Sequence, residues 1–366
     1  MRVLMSIGGP SVFETDAPAN EIVIGTANGV VWLQRAGRGE PWRETSRALP
    51  GMHVSNLAED PETGRLYVGT HGNGIHASDD GGRTWQRKDR GVAHPNIYSM
   101  SVSRGADGVR VYAGTEPAHL YVSRDRGETW EELASLRSAP TVDKWFFPAP
   151  PNIAHVKHIT FDPRSADTIY ASVEVGAALK STDGGKTWRQ LHGFDDDVHR
   201  IMVTAARPDD VFMGTGIGVY KSGDAGETWQ QLTDRSARIA YPDQVIIHPE
   251  KPDTVFMAGA ICGPGSWRES KTADARVARS RDAGKSWQYL EGGLPAHIHG
   301  NIEGFTLDVW SGGSLLFAGT TDGDVFLSED EGETWSTIAR RIGAVSKGGH
   351  HVMLPLEGAP AGATAH

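Results

Sequence analysis

The 366-residue chain has a single cysteine, Cys262. One thiol excludes an intrachain disulfide and argues against a thiolate-rich metal centre. No apolar run approaches the length of a membrane-spanning helix. The opening stretch "MRVLMSIGGPSVFETD" has no adequate apolar core for a secretory leader. These absences lead to the expectation of a soluble, cytoplasmic protein with no membrane partner. Positive charge is scarce too: 36 Lys and Arg face 46 Asp and Glu, a net charge of −10. No basic stripe is present, which argues against nucleic acid as a partner. No segment holds a helical hydrophobic period over three turns. What the chain has instead is glycine (45) and tryptophan (11), the residues of tight turns and buried anchors.

The tryptophans fall in a repeat. Copies of Ser-x-Asp-x-Gly-x-Thr/Ser-Trp begin at Ser78, Ser123, Ser181, Ser222, Ser280 and Ser328, about 50 residues apart. The frame has a physical reading. The Asp accepts hydrogen bonds from backbone N–H groups just ahead of it. The Gly two residues later takes a positive φ without a steric penalty. The Trp then starts a strand with a large ring to bury. Two short alternating runs precede each box, such as "RLYVGT" and "GIHAS", and a third stands before them, such as "SNLAED". Each repeat therefore supplies four antiparallel strands, A to D, with the box at the C–D turn. Four-stranded units repeated about an axis make a β-propeller.

The boxes resemble Asp boxes, or BNR repeats, which occur in sialidases, xyloglucanases, sortilin-type receptors, some fungal lectins and photosystem assembly factors. The resemblance covers nearly the whole chain. It implies the fold and leaves the activity open, because those families do unrelated things on one scaffold. In the Asp-box enzymes that the chain resembles, the active site lies on the face away from the boxes. Ordinary sialidase activity is disfavoured: the Phe/Tyr-Arg-Ile-Pro motif of those enzymes is missing and top-face arginines are few. A xyloglucanase would use two propellers and a pair of catalytic Asp residues, and here there is one propeller.

The sequence predicts an all-β, seven-bladed propeller in one domain, residues 1–357. The N-terminal stretch carries strands B to D of a blade without a box and lacks strand A. The stretch "HHVMLPLEG" reads as a lone strand. Blade 1 is therefore expected to be shared by residues 22–47 and 349–356, closing the ring and removing its open edges. Residues 358–366 read as a disordered tail.

Histidines recur where the A strands begin, at the channel rim opposite the boxes. His53, His94, His155, His199 and His350 are the expected metal ligands, because equivalent positions on successive blades converge on the axis. His158, His299, Asp243, Glu303 and Tyr241 form a second, catalytic set. His71, Glu116, His119 and Glu174 are expected in the pocket, with Asp195 to Asp197 as further acidic companions. Two long insertions would deepen this face. "SLRSAPTVDKWFFPAPPNIAH" brings Trp145, and "AGAICGPGSWRESKTADAR" brings Trp267 and Arg268. Imidazole and carboxylate together suit Zn, Mn, Fe or Cu. The favoured expectation is a metal-dependent hydrolase, lyase or oxidoreductase acting on a small molecule or saccharide. A carboxylate-based glycoside hydrolase and a non-catalytic binding or assembly propeller stand as alternatives.

Overall fold

A computed structural model describes residues 1–354 of the chain. Seven β-sheets surround a central axis, and the only α-helix among the described residues is the single turn Trp267–Ser270. Among the described residues no helix is long and apolar enough to cross a membrane. The A strands of blades 2 to 7 are His53–Glu59, Asn96–Gly105, Val156–Asp162, Val198–Thr204, Tyr241–Ile247 and Ile302–Trp310. In each of these blades three further strands follow outward in chain order, all antiparallel. The blades form an all-β seven-bladed propeller.

The boxes close by the bonds that their residue types require. In blade 2, Asp80 Oδ1 accepts from the Arg83 and Thr84 N–H groups at 3.0 and 2.9 Å, and Oδ2 accepts the Thr84 hydroxyl at 2.7 Å. Ser78 Oγ accepts the Gly82 N–H at 2.8 Å. Asp125, Asp183, Asp224, Asp282 and Asp330 repeat the pattern toward Thr129, Thr187, Thr228, Ser286 and Thr334. The residue after each Asp has positive φ: Gly81, Arg126, Gly184, Ala225, Ala283 and Glu331. In three of the boxes its carbonyl serves the neighbouring blade. Tyr67 of blade 2 donates to Arg126 O at 3.0 Å, Tyr170 of blade 4 to Ala225 O at 3.1 Å, and Arg279 of blade 6 to Glu331 O at 2.7 Å. The boxes thus stitch blade to blade as well as turning the chain. Apolar packing does the rest: the cluster of Tyr112, Leu120, Ile159, Ile169 and Leu179 spans blades 3 and 4.

Blade 1 corrects the expected closure. Its strands Glu21–Thr26, Gly29–Gln34 and Arg43–Ala48 take their inner partner from the start of the chain, Arg2–Met5, which runs parallel to Glu21–Thr26. A second N-terminal strand, Val12–Glu14, lies parallel to Leu307–Val309 on the inner edge of blade 7. The expected closing stretch instead holds the short 3₁₀ turn His350–Val352. Residues 355 and 356 of that stretch, and the expected tail, lie outside the described residues. The four residues "RVLM" are too short a run to declare a strand, yet they supply the buried edge that Glu21–Thr26 needs.

Between those two strands, residues 6–11 cross the central channel. Ser6 Oγ accepts the Leu57 N–H at 2.9 Å, Gly8 O accepts Met100 N–H at 3.0 Å, and Ser11 O accepts Leu307 N–H at 2.8 Å. The fully buried Arg200 donates to Ile7 O, Gly9 O and Gln244 Oε1 at 3.0, 2.8 and 2.8 Å. Only glycine fits this path: a Cβ on Gly8 would stand 2.1 Å from Tyr98 O, and one on Gly9 2.3 Å from Leu57 O. The channel is a filled hub, so chemistry on the axis is confined to the face where the inner strands begin.

Candidate functional site

Above the hub, side chains at and beside the starts of the inner strands, with Glu116 and Glu174 from the ends of the second strands of blades 3 and 4 and Lys347 from beyond the last blade, form a buried network of charge. Glu116, Glu174, Asp243 and Glu303 are all buried, as are Lys157 and Lys347. Lys157 Nζ lies 3.0 Å from Glu174 Oε1 and 3.4 Å from Asp243 Oδ1. Lys347 Nζ reaches the same two oxygens at 2.6 and 3.1 Å. His155 Nε2 meets Glu174 Oε2 at 2.6 Å, and its ring stacks on Tyr98 with centroids 3.7 Å apart. Asn301 Nδ2 donates to Asp243 Oδ2 at 2.5 Å and to Glu303 Oε1 at 3.4 Å. Glu303 also binds the Lys347 N–H and the His350 ring, each at 2.8 Å. Burial alone would favour the neutral form of Glu174. The ammonium charges of Lys157 and Lys347 outweigh it and hold the carboxyl well below its ordinary range. The converse applies to Lys347: burial disfavours its charge, and Asp243 and Glu174 restore it and raise it well above the usual value.

Beside this network stands a second pair. His199 Nδ1 contacts the Pro242 carbonyl at 2.9 Å, and its Nε2 faces Asp197 Oδ1 at 3.3 Å. A ring N–H on Nδ1 leaves Nε2 as a lone pair aimed at a carboxylate oxygen. Neither Nε2 nor Asp197 Oδ1 has a hydrogen-bond partner, and both are buried. Two acceptors at that distance repel unless a proton or a cation lies between them. Burial works against the imidazolium, but Asp197 and Asp243 outweigh it and raise His199 above its ordinary value. Glu174 completes a group of three whose ligand atoms lie within 4.8 Å of one another.

A cavity of about 740 Å³ opens over this pair, between the insertions of blades 4 and 6. Asp197, Tyr241 and His350 line its inner end. Phe147, Pro148 and Pro150 come from the first insertion, and Ile261, Cys262 and Arg268 from the second. The Tyr241 ring lies 4.5 Å from that of His199, and burial raises its phenol well above the ordinary value. It therefore remains an O–H donor.

The expected residues divide into those the fold gathers and those it disperses. His155, His199, His350, Asp243, Glu303, Tyr241, Glu116 and Glu174 join the network or its cavity. His53 and His71 stand at its edge with His351, ring centroids 5.8 and 5.4 Å from His53, and His53 Nε2 binds Ser346 O at 2.8 Å. His94 and His119 form a separate pair, 4.4 Å apart, with His119 held by Glu132. Blade 3 begins its inner strand two residues after His94, so Tyr98 takes the axial place. His158 is wedged beside blade 5, its Nδ1 3.4 Å from the Ile201 N–H. His299 pairs with Asp322 at 3.0 Å. Trp145 packs into the core of blades 3 and 4, and Trp267 is fully buried beneath the blade 6 insertion. Lys157, Lys347, Asn301 and the role of Asp197 are new. Lys157 falls in the register shift between Val156 and His158, which breaks the strand alternation in "HVKHIT", and nothing periodic marks Lys347.

Comparison with known proteins agrees with this architecture. A family model described as sortilin, neurotensin receptor 3, matches residues 176–296, and one described as the BNR/Asp-box repeat matches residues 121–132. A xyloglucanase from Paenibacillus sp. is 27% identical over 247 residues, covering 56% of this chain and 22% of its own length. The Niastella koreensis GH74 enzyme superposes with a TM-score of 0.62 at 18% identity, over 92% of this chain and 55% of that one. The structure of YCF48 bound to D1 peptide superposes at 0.52 with 14% identity, over 90% and 93%. The chain thus spans about a fifth of the curated xyloglucanase and about half of the GH74 enzyme. Repeats, ring and neighbours together make this protein an Asp-box, or BNR-repeat, seven-bladed β-propeller.

Proposed function

We propose that the chain is an enzyme acting on a small molecule, a hydrolase or lyase, with the top-face cavity as its active site. The observation that carries this reading is the His199–Asp197 pair, 3.3 Å apart, with Asp197 lining a cavity of about 740 Å³. Asp197 serves as the general base toward water or an acidic C–H of the substrate, and His199 behind it holds the compensating proton. Tyr241 offers its O–H to an oxygen on which negative charge develops. The buried network keeps the floor rigid and dry.

A metal-assisted version is the second reading. Glu174, Asp197 and His199 present ligand atoms within 4.8 Å of one another, and the Pro242 contact leaves His199 Nε2 available. Zn, Mn, Fe or Cu there would polarise a substrate oxygen or lower the pKa of bound water. Against it, two ammonium groups already sit 2.6 and 3.0 Å from Glu174 Oε1, where a dication would meet their repulsion. The saccharide hydrolase suggested by the GH74 likeness needs two carboxylates facing substrate. Asp197 is the one carboxylate among the described residues lining the cavity, because Asp243 and Glu303 lie behind Lys347 and His350.

The test is turnover of a panel of small esters, lactones and aryl glycosides by the wild type and Asp197→Asn. Loss of a factor of at least about 100 with an unchanged circular dichroism spectrum supports the pair as the reactive centre. Unchanged turnover overturns it. Metal content by plasma mass spectrometry, before and after chelation, decides between the two versions.

A further inference from the structure

The walls of the cavity carry a chemistry that the reactive pair does not use. Arg235 enters from the connection between blades 5 and 6, and Arg268 from the helical turn of the blade 6 insertion; both line the cavity and both are exposed. Among the described residues neither forms an ion pair or a side-chain hydrogen bond. Their neighbours behave differently: Arg238 is paired with Glu291, and Arg276 with Asp274 at 2.7 Å. Arg235 acts on Asp195 only through space, against the burial that raises that carboxyl. Two uncommitted guanidinium groups thus border one cavity on a chain of net charge −10.

Apart from Asp197, Tyr241, His350, Cys262 and Ser266, the remaining wall is apolar or glycine. Phe147, Pro150, Ile261 and Met353 line the cavity, and Ile261 is 38% exposed. A neutral sugar would call for many hydroxyl-directed donors and acceptors, and this wall offers few. An apolar body fits it, and guanidinium pairs bind carboxylate or phosphate oxygens through charge-assisted hydrogen bonds.

We infer that the cavity takes an amphipathic anion, a carboxylate or phosphate on an apolar body, with the anionic group held by Arg235 and Arg268. The inference rests on the cavity being the functional pocket and names its substrate class. It is tested by calorimetric titration with matched probes: 4-phenylbutyrate and 2-phenylethyl phosphate against the neutral 4-phenylbutyramide and 2-phenylethanol. The expected result is that at least one anion binds about tenfold or more tighter than its neutral partner. The advantage should shrink in high salt and vanish in Arg235→Ala/Arg268→Ala, two surface changes that leave the core intact. Which anion binds identifies the head group. Equal affinity for anion and neutral partner, no binding of any probe, or discrimination that survives the double variant overturns the inference. Asp197→Asn separates the two claims: it should keep the anion preference, and loss of turnover alone bears on the reactive pair.

Discussion

The ammonium of Lys347 stands 2.6 Å from Oε1 of Glu174, across 173 positions of sequence. The contact ties a segment beyond the last blade to the inner end of blade 4, and it puts a full positive charge on the propeller axis. The same Nζ reaches Asp243 of blade 6 at 3.1 Å.

Removing that charge should therefore be costly. Lys347→Met keeps most of the side-chain length and leaves Glu174 and Asp243 to share Lys157 alone. A loss of about 3–5 kcal/mol is expected from an unpaired buried charge. Urea denaturation measures it, and a loss below about 1 kcal/mol would show that the network is wet and soft.

Acid should weaken the fold in two stages. Burial lowers His71 and His351 to about 4, with the His53 charge adding to the effect. Unfolded imidazole takes up protons near pH 6.5. The unfolded state then binds more protons than the folded one, so stability drains as pH falls from about 6.5 toward 4, by on the order of 3 kcal/mol for each ring. Below that, the box carboxylates follow. Backbone and hydroxyl hydrogen bonds from Thr84 hold Asp80 at about 2, so its contribution is lost as pH falls from near 4 through 2. Unfolding midpoints at pH 7.5, 5.5 and 4.5 should decline steadily, and His71→Gln/His351→Gln should flatten the upper stage. A flat wild-type profile above pH 4.5 contradicts the assignment.

The hub admits no side chain at its centre. Gly8→Ala puts a methyl carbon against Tyr98 O and Asn56 Oδ1, both at about 2 Å, where backbone must move. A destabilisation of about 1–3 kcal/mol is expected. The same change at Gly37, where nothing lies within 4 Å, should be nearly silent in thermal unfolding.

One box residue is open to improvement. Ala225 sits at φ +57° where the boxes of blades 2 and 4 have glycine. Ala225→Gly relieves a left-handed alanine at the cost of a freer unfolded chain. The balance favours the variant by about 0.5–1 kcal/mol. Differential scanning calorimetry should show a higher Tm, and a lower one would mean that the methyl group packs usefully.

Much of this was legible in the chain, for reasons of distance. The boxes are closed by residues within a few positions of each other, so their geometry is written locally. His53, His155 and His199 were legible because a repeat places equivalent residues at one radius. His94 failed because blade 3 starts two residues later, which gives the axial place to Tyr98. Lys157 was hidden by the register shift between Val156 and His158. Arg2–Met5, residues 6–11 and Lys347 act through contacts with distant blades, and no local pattern announces such pairings. Trp145 and Trp267 read as pocket walls by composition, and the core claimed them for their size.

The hub also orders the making of the molecule. Residues 6–11 are inside the ring, held by blades 2, 3, 5 and 7, and Met5 just before them packs against Gly304 and Gly319 of blade 7. A segment flanked by two paired strands cannot be threaded into a finished wheel. The ring therefore closes around residues 6–11 as an axle, gripped from four of its blades. Blade 7, seated on Met5, joins that axle to the ring, and the axle gives the charges above it a floor.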